Sequence, residues 1–434
     1  MTSGQASPLP HSISRRSIAI AAFSTVVEWY DFTLYLYFST VLSRVFYGGG
    51  AASLTTTLAG FAISYAMRPV GAVVFGHIGD RYGRRRMMLL SMAMMTAAML
   101  AIGLLPTSAE IGPAAGMLLL LLRCVMAFSV GGEYTGVVAY LLEGAARNRR
   151  GLITSSASAA SEVGGLLAVG LSALTVGMMS TAALDDWGWR IPFLVGAAMA
   201  GSILLARSTM QESPDFEAQQ ARGSVPRNPL GHSLTHYRPA ILRGFAISAL
   251  GSITYYVGIA YVPAFLTSTG AMSERDSLGL STLAAVVVIL VTPLIGLLTD
   301  ARGRRPVLIG LAVAGMLLPI AMFMAMAGGT LVQALLGAVV LAALGGAVSA
   351  VGAVATAEQF PGEARLTGLA LGATMATAVF GGVTPWLAQI LIERTGWPMI
   401  PGVMIAVVAL CVLPVLFFMP ETRPQAAPPS KDPG

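Results

Sequence analysis

Gly76-His77-Ile78-Gly79-Asp80-Arg81-Tyr82-Gly83-Arg84-Arg85 has a counterpart in the second half of the chain, Gly296-Leu297-Leu298-Thr299-Asp300-Ala301-Arg302-Gly303-Arg304-Arg305. In both, an apolar run ends in Gly-x-x-x-Asp and a Gly-Arg-Arg turn opens the next apolar run. A membrane-edge connection repeated at matching positions reads as a duplicated helical bundle. That architecture belongs to transporters whose substrate site lies between two halves. A second repeat agrees with the first. Glu143 precedes Arg150, and Glu358 precedes Arg365, at the same spacing after the fourth and tenth apolar runs.

Working outward, composition puts the chain in a membrane. Residues are 55% hydrophobic and 11% charged, with mean hydropathy +0.74, whereas a soluble domain carries about 25% charged residues. A spanning helix needs about 20 apolar residues. Twelve runs qualify, near 17–41, 51–76, 87–105, 114–141, 151–178, 188–206, 241–266, 278–299, 306–327, 330–356, 366–392 and 397–419. The expected class is an all-α membrane protein with twelve transmembrane helices in two pseudo-symmetric six-helix halves. The N-terminal half covers 1–206, a polar linker 207–240, the C-terminal half 241–421, and a disordered Pro- and Ala-rich tail 422–434.

The net charge of +6 does not point to nucleic acid, because the arginines are distributed as topology signals. Arg15, Arg16, Arg81, Arg84, Arg85, Arg86, Arg147, Arg149, Arg150, Arg302, Arg304, Arg305 and Arg365 all fall on one side of the twelve-span arrangement, with the linker and the tail. The opposite loops hold Arg44, Arg275 and Arg394, with Arg190 at a span edge. The positive-inside rule then makes both termini cytoplasmic. Ser14-Arg15-Arg16 before an apolar run resembles an export signal. The run is too long, however, and it holds Glu28 and Asp31, so it reads as a retained first helix. Cys124 and Cys411 sit in apolar spans of opposite halves and read as packing residues. No spacing suggests a metal site, and no cofactor is expected.

Charges inside the spans speak to mechanism. Counting from the cytoplasmic ends at 1.5 Å per residue, Glu28, Asp31, Arg68, Glu133 and Glu162 all fall roughly 15–21 Å deep, near the bilayer midplane. Facing lipid, each would cost several kcal/mol, so they are expected to share a wet cavity. Four carboxylates against one arginine cannot all ionise cheaply, so one of them is expected to carry a proton. Glu28 and Asp31 share a helix face; Arg68 is expected to hold one ionised, and Glu133 is the reserve. Arg123, nearer the outside, either snorkels outward or attracts an anion at the cavity mouth. The C-terminal half has no charge in a span interior and offers Tyr255, Tyr256, Tyr261, Gln333, Thr384, Trp386 and Gln389, with Pro263 and Pro385 as kink sites. At the membrane edge the expected gate comprises Gly76, Asp80, Arg81, Gly83, Arg84, Arg85, Asp300 and Arg304, together with Glu143, Arg150, Glu358 and Arg365.

These features resemble the major facilitator superfamily, and within it the metabolite–proton symporters, the branch of proline/betaine, α-ketoglutarate, shikimate and citrate transporters. Its most specific parts are Glu28-Trp29-Tyr30-Asp31-Phe32, Arg68-Pro69-Val70-Gly71, Gly131-Gly132-Glu133-Tyr134 and Trp187-Gly188-Trp189-Arg190-Ile191-Pro192-Phe193. The resemblance implies that Asp80, and more weakly Asp300, stabilises the outward-facing state by meeting a helix of the other half. It implies proton-coupled uptake of a small organic acid or zwitterion by alternating access, with protons and the lipid bilayer as partners. The setting would be a multi-pass protein, monomeric, in a bacterial inner membrane. Thr254-Tyr255-Tyr256 looks like the proline/betaine members and Phe380-Gly381-Gly382-Val383-Thr384-Pro385 like the citrate members, so both substrate classes stay open. A drug–proton antiporter is the nearest rival, but Ser161-Glu162-Val163-Gly164-Gly165 lacks the Gly-Pro pair expected in its fifth helix. A membrane enzyme would need a nucleophile–base pair or metal set, and none is present in the sequence.

Overall fold

The computed structural model describes residues 14–423, apart from 50–55, 58, 61–62, 226–227, 263–264, 267–268, 270 and 273. Much of the expected second run, Pro263 and nearly all of the expected tail therefore lie outside the described residues, as do the side chains of Arg275, Trp386 and Gln389.

The chain is a twelve-helix bundle. The first span is Arg15–Tyr37, prolonged by Ser39–Tyr47, and the second is Met67–Tyr82. The third is Arg84–Gly103, the fourth Ala114–Val130 with Glu133–Gly144, the fifth Arg150–Met178 and the sixth Arg190–Ser208. The second half opens with Arg238–Tyr255 and continues with Glu274–Arg302, Arg304–Ala327 and Leu331–Ala357. The eleventh span starts at Arg365–Leu369 and ends with Thr384–Thr395, and the twelfth is Ile400–Phe418. Among the described residues, nine of these helices are long and apolar enough to cross a membrane. The other three are the first, which carries Glu28 and Asp31, the second, which is partly undescribed, and the broken eleventh.

Several elements depart from the expected runs. The linker is not an open chain. It holds two short helices, Pro214–Ala221 and Pro229–His236, capped by Ser213 and Asn228. The eleventh span is interrupted by π-helical turns at Ala370–Thr374 and Ala378–Gly382, and the seventh ends in another at Tyr256–Ala260. The second and eighth spans continue helically past the expected ends to Tyr82 and Arg302. Gly83 and Gly303, at φ +106° and +101°, then turn the chain straight into the next span. This backbone region disfavours a Cβ, which explains the glycine in both Gly-Arg-Arg turns.

Within each half, helices pack as expected for neighbours: the first along the fifth, the third along the sixth, and the ninth along the twelfth. Among the contacts that join the halves, two are related by the internal repeat: the fifth span lies along the eighth, and the second lies along the eleventh. The tenth span also packs on the fifth. The fourth span crosses the second at a point without side chains. A Cβ on Gly71 would meet the Phe128 carbonyl, and one on Gly131 would meet that of Arg68. That close approach fixes the depth of Arg68 against the break at Gly131-Gly132.

Candidate functional site

The linker-side ends of the two inter-half contacts are matched acid–helix junctions. The Asp80 carboxylate accepts backbone N–H bonds from Leu366 at 3.3 Å and Thr367 at 2.8 Å, the first turn of the eleventh span. The Asp300 carboxylate accepts from Gly151 at 2.8 Å and Leu152 at 3.0 Å, the first turn of the fifth. Each aspartate ends its own helix, where the macrodipole disfavours an anion. A foreign helix N-terminus and an arginine one turn on compensate: Arg84 at 3.3 Å from Asp80 and Arg304 at 3.2 Å from Asp300. Gly76 and Gly296 allow the approach. A Cβ on Gly76 would lie 3.1 Å from the Leu366 carbonyl, and one on Gly296 2.9 Å from that of Gly151. Asp300 thus accepts two backbone N–H bonds from the other half, as Asp80 does.

The arginines extend each junction. Arg84 reaches Glu143 at 3.3 Å and donates across the halves to the Gly362 carbonyl. Arg304 holds Glu358 at 2.9 Å. The Glu/Arg repeats also cross the halves, though unequally. Arg365 meets Glu143 at 2.5 Å and Asp215 at 3.1 Å, while Arg150 stands 3.9 Å from Glu358. Two expected gate residues make further contacts. Arg81 is exposed and lies over the Tyr82 ring, and Arg85 donates its side chain to the Ser208 carbonyl within its own half. A third repeat went unread in the sequence, although Met210-Gln211-Glu212-Ser213 and Met419-Pro420-Glu421-Thr422 display it. Glu212 accepts from the Arg84 and Arg85 N–H groups, and Glu421 from those of Arg304 and Arg305. Each glutamate caps the helix that follows its half's Gly-Arg-Arg turn. Burial pushes the Glu212 carboxyl up. At the exposed Glu421 burial acts the same way, but the backbone N–H groups of Arg304, Arg423 and Arg305 outweigh it and hold the carboxyl below the usual range.

Above the junctions, between the halves, lies a cavity of about 170 Å³. Glu28, Trp29, Arg68 and Glu162 line it from the first half, and Tyr255 and Tyr256 from the second, with Ser248, Ser252 and Thr377 hydroxyls. Arg68 stands 3.5 Å from Glu28, a long contact, and lies over the Phe32 and Tyr65 rings. Glu28 Oε2 has no hydrogen-bond partner among the described residues. The Tyr255 hydroxyl lies close to Glu162. The Tyr65 and Tyr256 hydroxyls meet at 2.7 Å and so bridge the halves.

The single shared pool of five charges is not what the structure holds. Asp31 turns away from Glu28 and pairs with Arg123 at 2.7 Å, with Arg123 stacked on Tyr35. Arg123, 4% exposed, neither snorkels nor guards a mouth. Glu133 does not enter the cavity either. It pairs with Arg207 and accepts from Ser91 at 2.6 Å, and Arg207 also bonds Ser24, all buried. Arg207 was hidden in the sequence because it follows the expected end of the sixth run and passes for a linker residue. Four carboxylates thus face three arginines. Of the five expected cavity charges, only Glu28, Arg68 and Glu162 border the large cavity. Cys124 and Cys411 are free thiols, and the described residues hold no cluster suited to a metal.

Two matched helical halves around a polar cavity, locked together at one face by reciprocal carboxylate–helix contacts, make a membrane transporter of the two-half type. Residues 17–227 match the family model described as Sugar (and other) transporter, and residues 272–434 match the model of the Major Facilitator Superfamily. The Ectoine/proline transporter ProP of Corynebacterium glutamicum is 31% identical over 430 residues, 95% of this chain and 85% of the relative. The Alpha-ketoglutarate permease of Escherichia coli is 33% identical over 390 residues, 88% of this chain and 89% of the relative. The chain belongs to the major facilitator superfamily. A solved structure of the proton:xylose symporter XylE bound to 6-bromo-6-deoxy-D-glucose shares the fold, with TM-score 0.78 at 18% identity over 94% of this chain and 96% of that one.

Proposed function

We propose that this protein couples the inward flow of protons to uptake of a small organic acid or zwitterion, by alternating access between halves at 1–206 and 241–421. The observation that carries the reading is Glu28. It is a buried carboxylate on the cavity wall, loosely held by Arg68 and with one oxygen unpartnered. A carboxylate so placed takes a proton at little cost when substrate arrives and gives it up when Arg68 closes on it. The reciprocal Asp80 and Asp300 junctions then serve as the cytoplasmic gate, closed in this conformation. The relatives support the substrate range, since one is named for ectoine and proline and another for alpha-ketoglutarate. Both termini are cytoplasmic in this reading, the membrane is a bacterial inner membrane, and the monomer is the working unit. Asp31, held by Arg123, is the less suitable proton carrier of the two.

Purified protein in liposomes tests it. An imposed inward proton gradient is expected to concentrate a radiolabelled substrate. Glu28→Gln is expected to abolish that accumulation while substrate exchange without a gradient persists. Accumulation with normal pH dependence in Glu28→Gln would place the proton elsewhere.

A further inference from the structure

The charge on the cavity wall restricts what can enter, provided the cavity is the transport site of the preceding reading. Among the described residues, three ionisable acids and bases border it: Glu28, Glu162 and Arg68. The buried arginines of this half are committed elsewhere, Arg123 to Asp31, Arg207 to Glu133, and Arg84 to Asp80 and Glu143. With both carboxylates ionised the wall is negative by one charge, and with one protonated it is neutral. A di- or tricarboxylate would bring two or three negative charges to a single guanidinium already shared with Glu28. Charge buried without compensation is strongly unfavourable. A molecule carrying one charge of each sign leaves the balance untouched.

The wall also offers a contact for each sign. The Trp29 Nε1–H donor and the Glu28 Oε2 acceptor are both buried and without partners among the described residues. Trp29 and Tyr255 stand edge to face across the halves, ring centres 5.4 Å apart, with Glu162 close to Tyr255 on the same wall. Aromatic faces next to a carboxylate attract an ammonium or quaternary nitrogen. Arg68 and the Trp29 N–H attract a carboxylate.

We infer that the transported molecule is a net-neutral zwitterion. Its carboxylate sits on Arg68 and Trp29 Nε1, its cationic nitrogen among Trp29, Tyr255 and Glu162, and polycarboxylates are excluded.

The test is binding to the detergent-purified full chain, without any gradient, read as thermal stabilisation by L-proline, glycine betaine, 2-oxoglutarate and citrate. The zwitterions are expected to stabilise the protein and the polycarboxylates are not. Trp29→Leu is expected to weaken zwitterion binding about tenfold, Trp29→Phe to recover only the part owed to the aromatic face, since it lacks the N–H donor, and Glu162→Gln to weaken binding as well. A polycarboxylate that stabilises more than every zwitterion overturns the inference. So does the lack of any zwitterion response at millimolar concentration, or wild-type affinity in Trp29→Leu. The liposome assay separates the two readings. Proton-driven accumulation of citrate would keep the coupling and end the zwitterion assignment. Proline binding without proton-driven accumulation would do the reverse.

Discussion

Asp31 and Arg123 are buried to 2% and 4% exposure, and each is the other's ion-pair partner. Removing one partner of a buried pair leaves an uncompensated charge, at a cost of about 3–5 kcal/mol. Arg123→Gln is therefore expected to lower the melting temperature of the detergent-solubilised protein sharply. Asp31→Asn added to it is expected to restore much of the loss, because the orphaned charge is gone. Thermal unfolding of the two singles and the double measures the coupling. Additive losses would mean that the pair does not act as a unit. Glu28, three residues away, contrasts with Asp31 in having no short ion-pair contact.

At the scale of the element, the third and ninth spans begin with the same device. Gly83 and Gly303 turn the chain, an arginine folds back to the carbonyl of Gly79 or Thr299, and a distant glutamate caps the new helix. Losing a cap costs about 1 kcal/mol, and solvent at the exposed Glu421 keeps the effect at the low end. Because the Glu421 carboxyl is held below its ordinary value in the fold, its ionised form stabilises the native state. That contribution is present above the unfolded pKa of about 4.3 and is lost as pH falls through the lower native value. Glu421→Gln is thus expected to melt slightly below wild type at pH 7. The gap should close on acidification, as followed by melting curves across that range. A gap independent of pH would mean that the carboxylate charge is not what caps the helix.

In the whole molecule, two junctions related by the internal repeat join the halves at the linker face. Each aspartate makes two hydrogen bonds from a charged acceptor, and such bonds contribute about 1.5–3 kcal/mol each. Asp80→Asn or Asp300→Asn is expected to shift the resting population toward a linker-face-open state by tenfold or more and to depress transport, with insertion intact. The readout is the labelling rate of a cysteine at Ser158, on the cavity wall, from the cytoplasmic side. Unchanged labelling in both variants would leave the junctions without a gating role. Orientation is tested by cysteines at Ser180 and Ser224, both exposed. An impermeant reagent added to whole cells is expected to reach the first and not the second. Ser213, although it lies in the linker, is unsuitable because its side chain is buried.

The sequence by itself determined the membrane class, the twelve spans and the duplication. These follow from local quantities: apolar length, low charge and motifs repeated at matching positions. It also marked both acid–helix junctions, because the Gly-x-x-x-Asp and Gly-Arg-Arg spacings are repeated in the chain. It did not determine partners. Residues at one depth on different helices look equivalent along the sequence, and which of them meet depends on helix rotation and crossing. Only the tertiary structure turned Asp31 toward Arg123, took Glu133 out of the cavity to Arg207, and left Glu28 loosely held on the cavity wall. The physical reason is the crossing at Gly71 and Gly131. With no Cβ there, the second and fourth spans come within backbone contact, and that approach sets where Arg68 and Glu133 stand in the bundle.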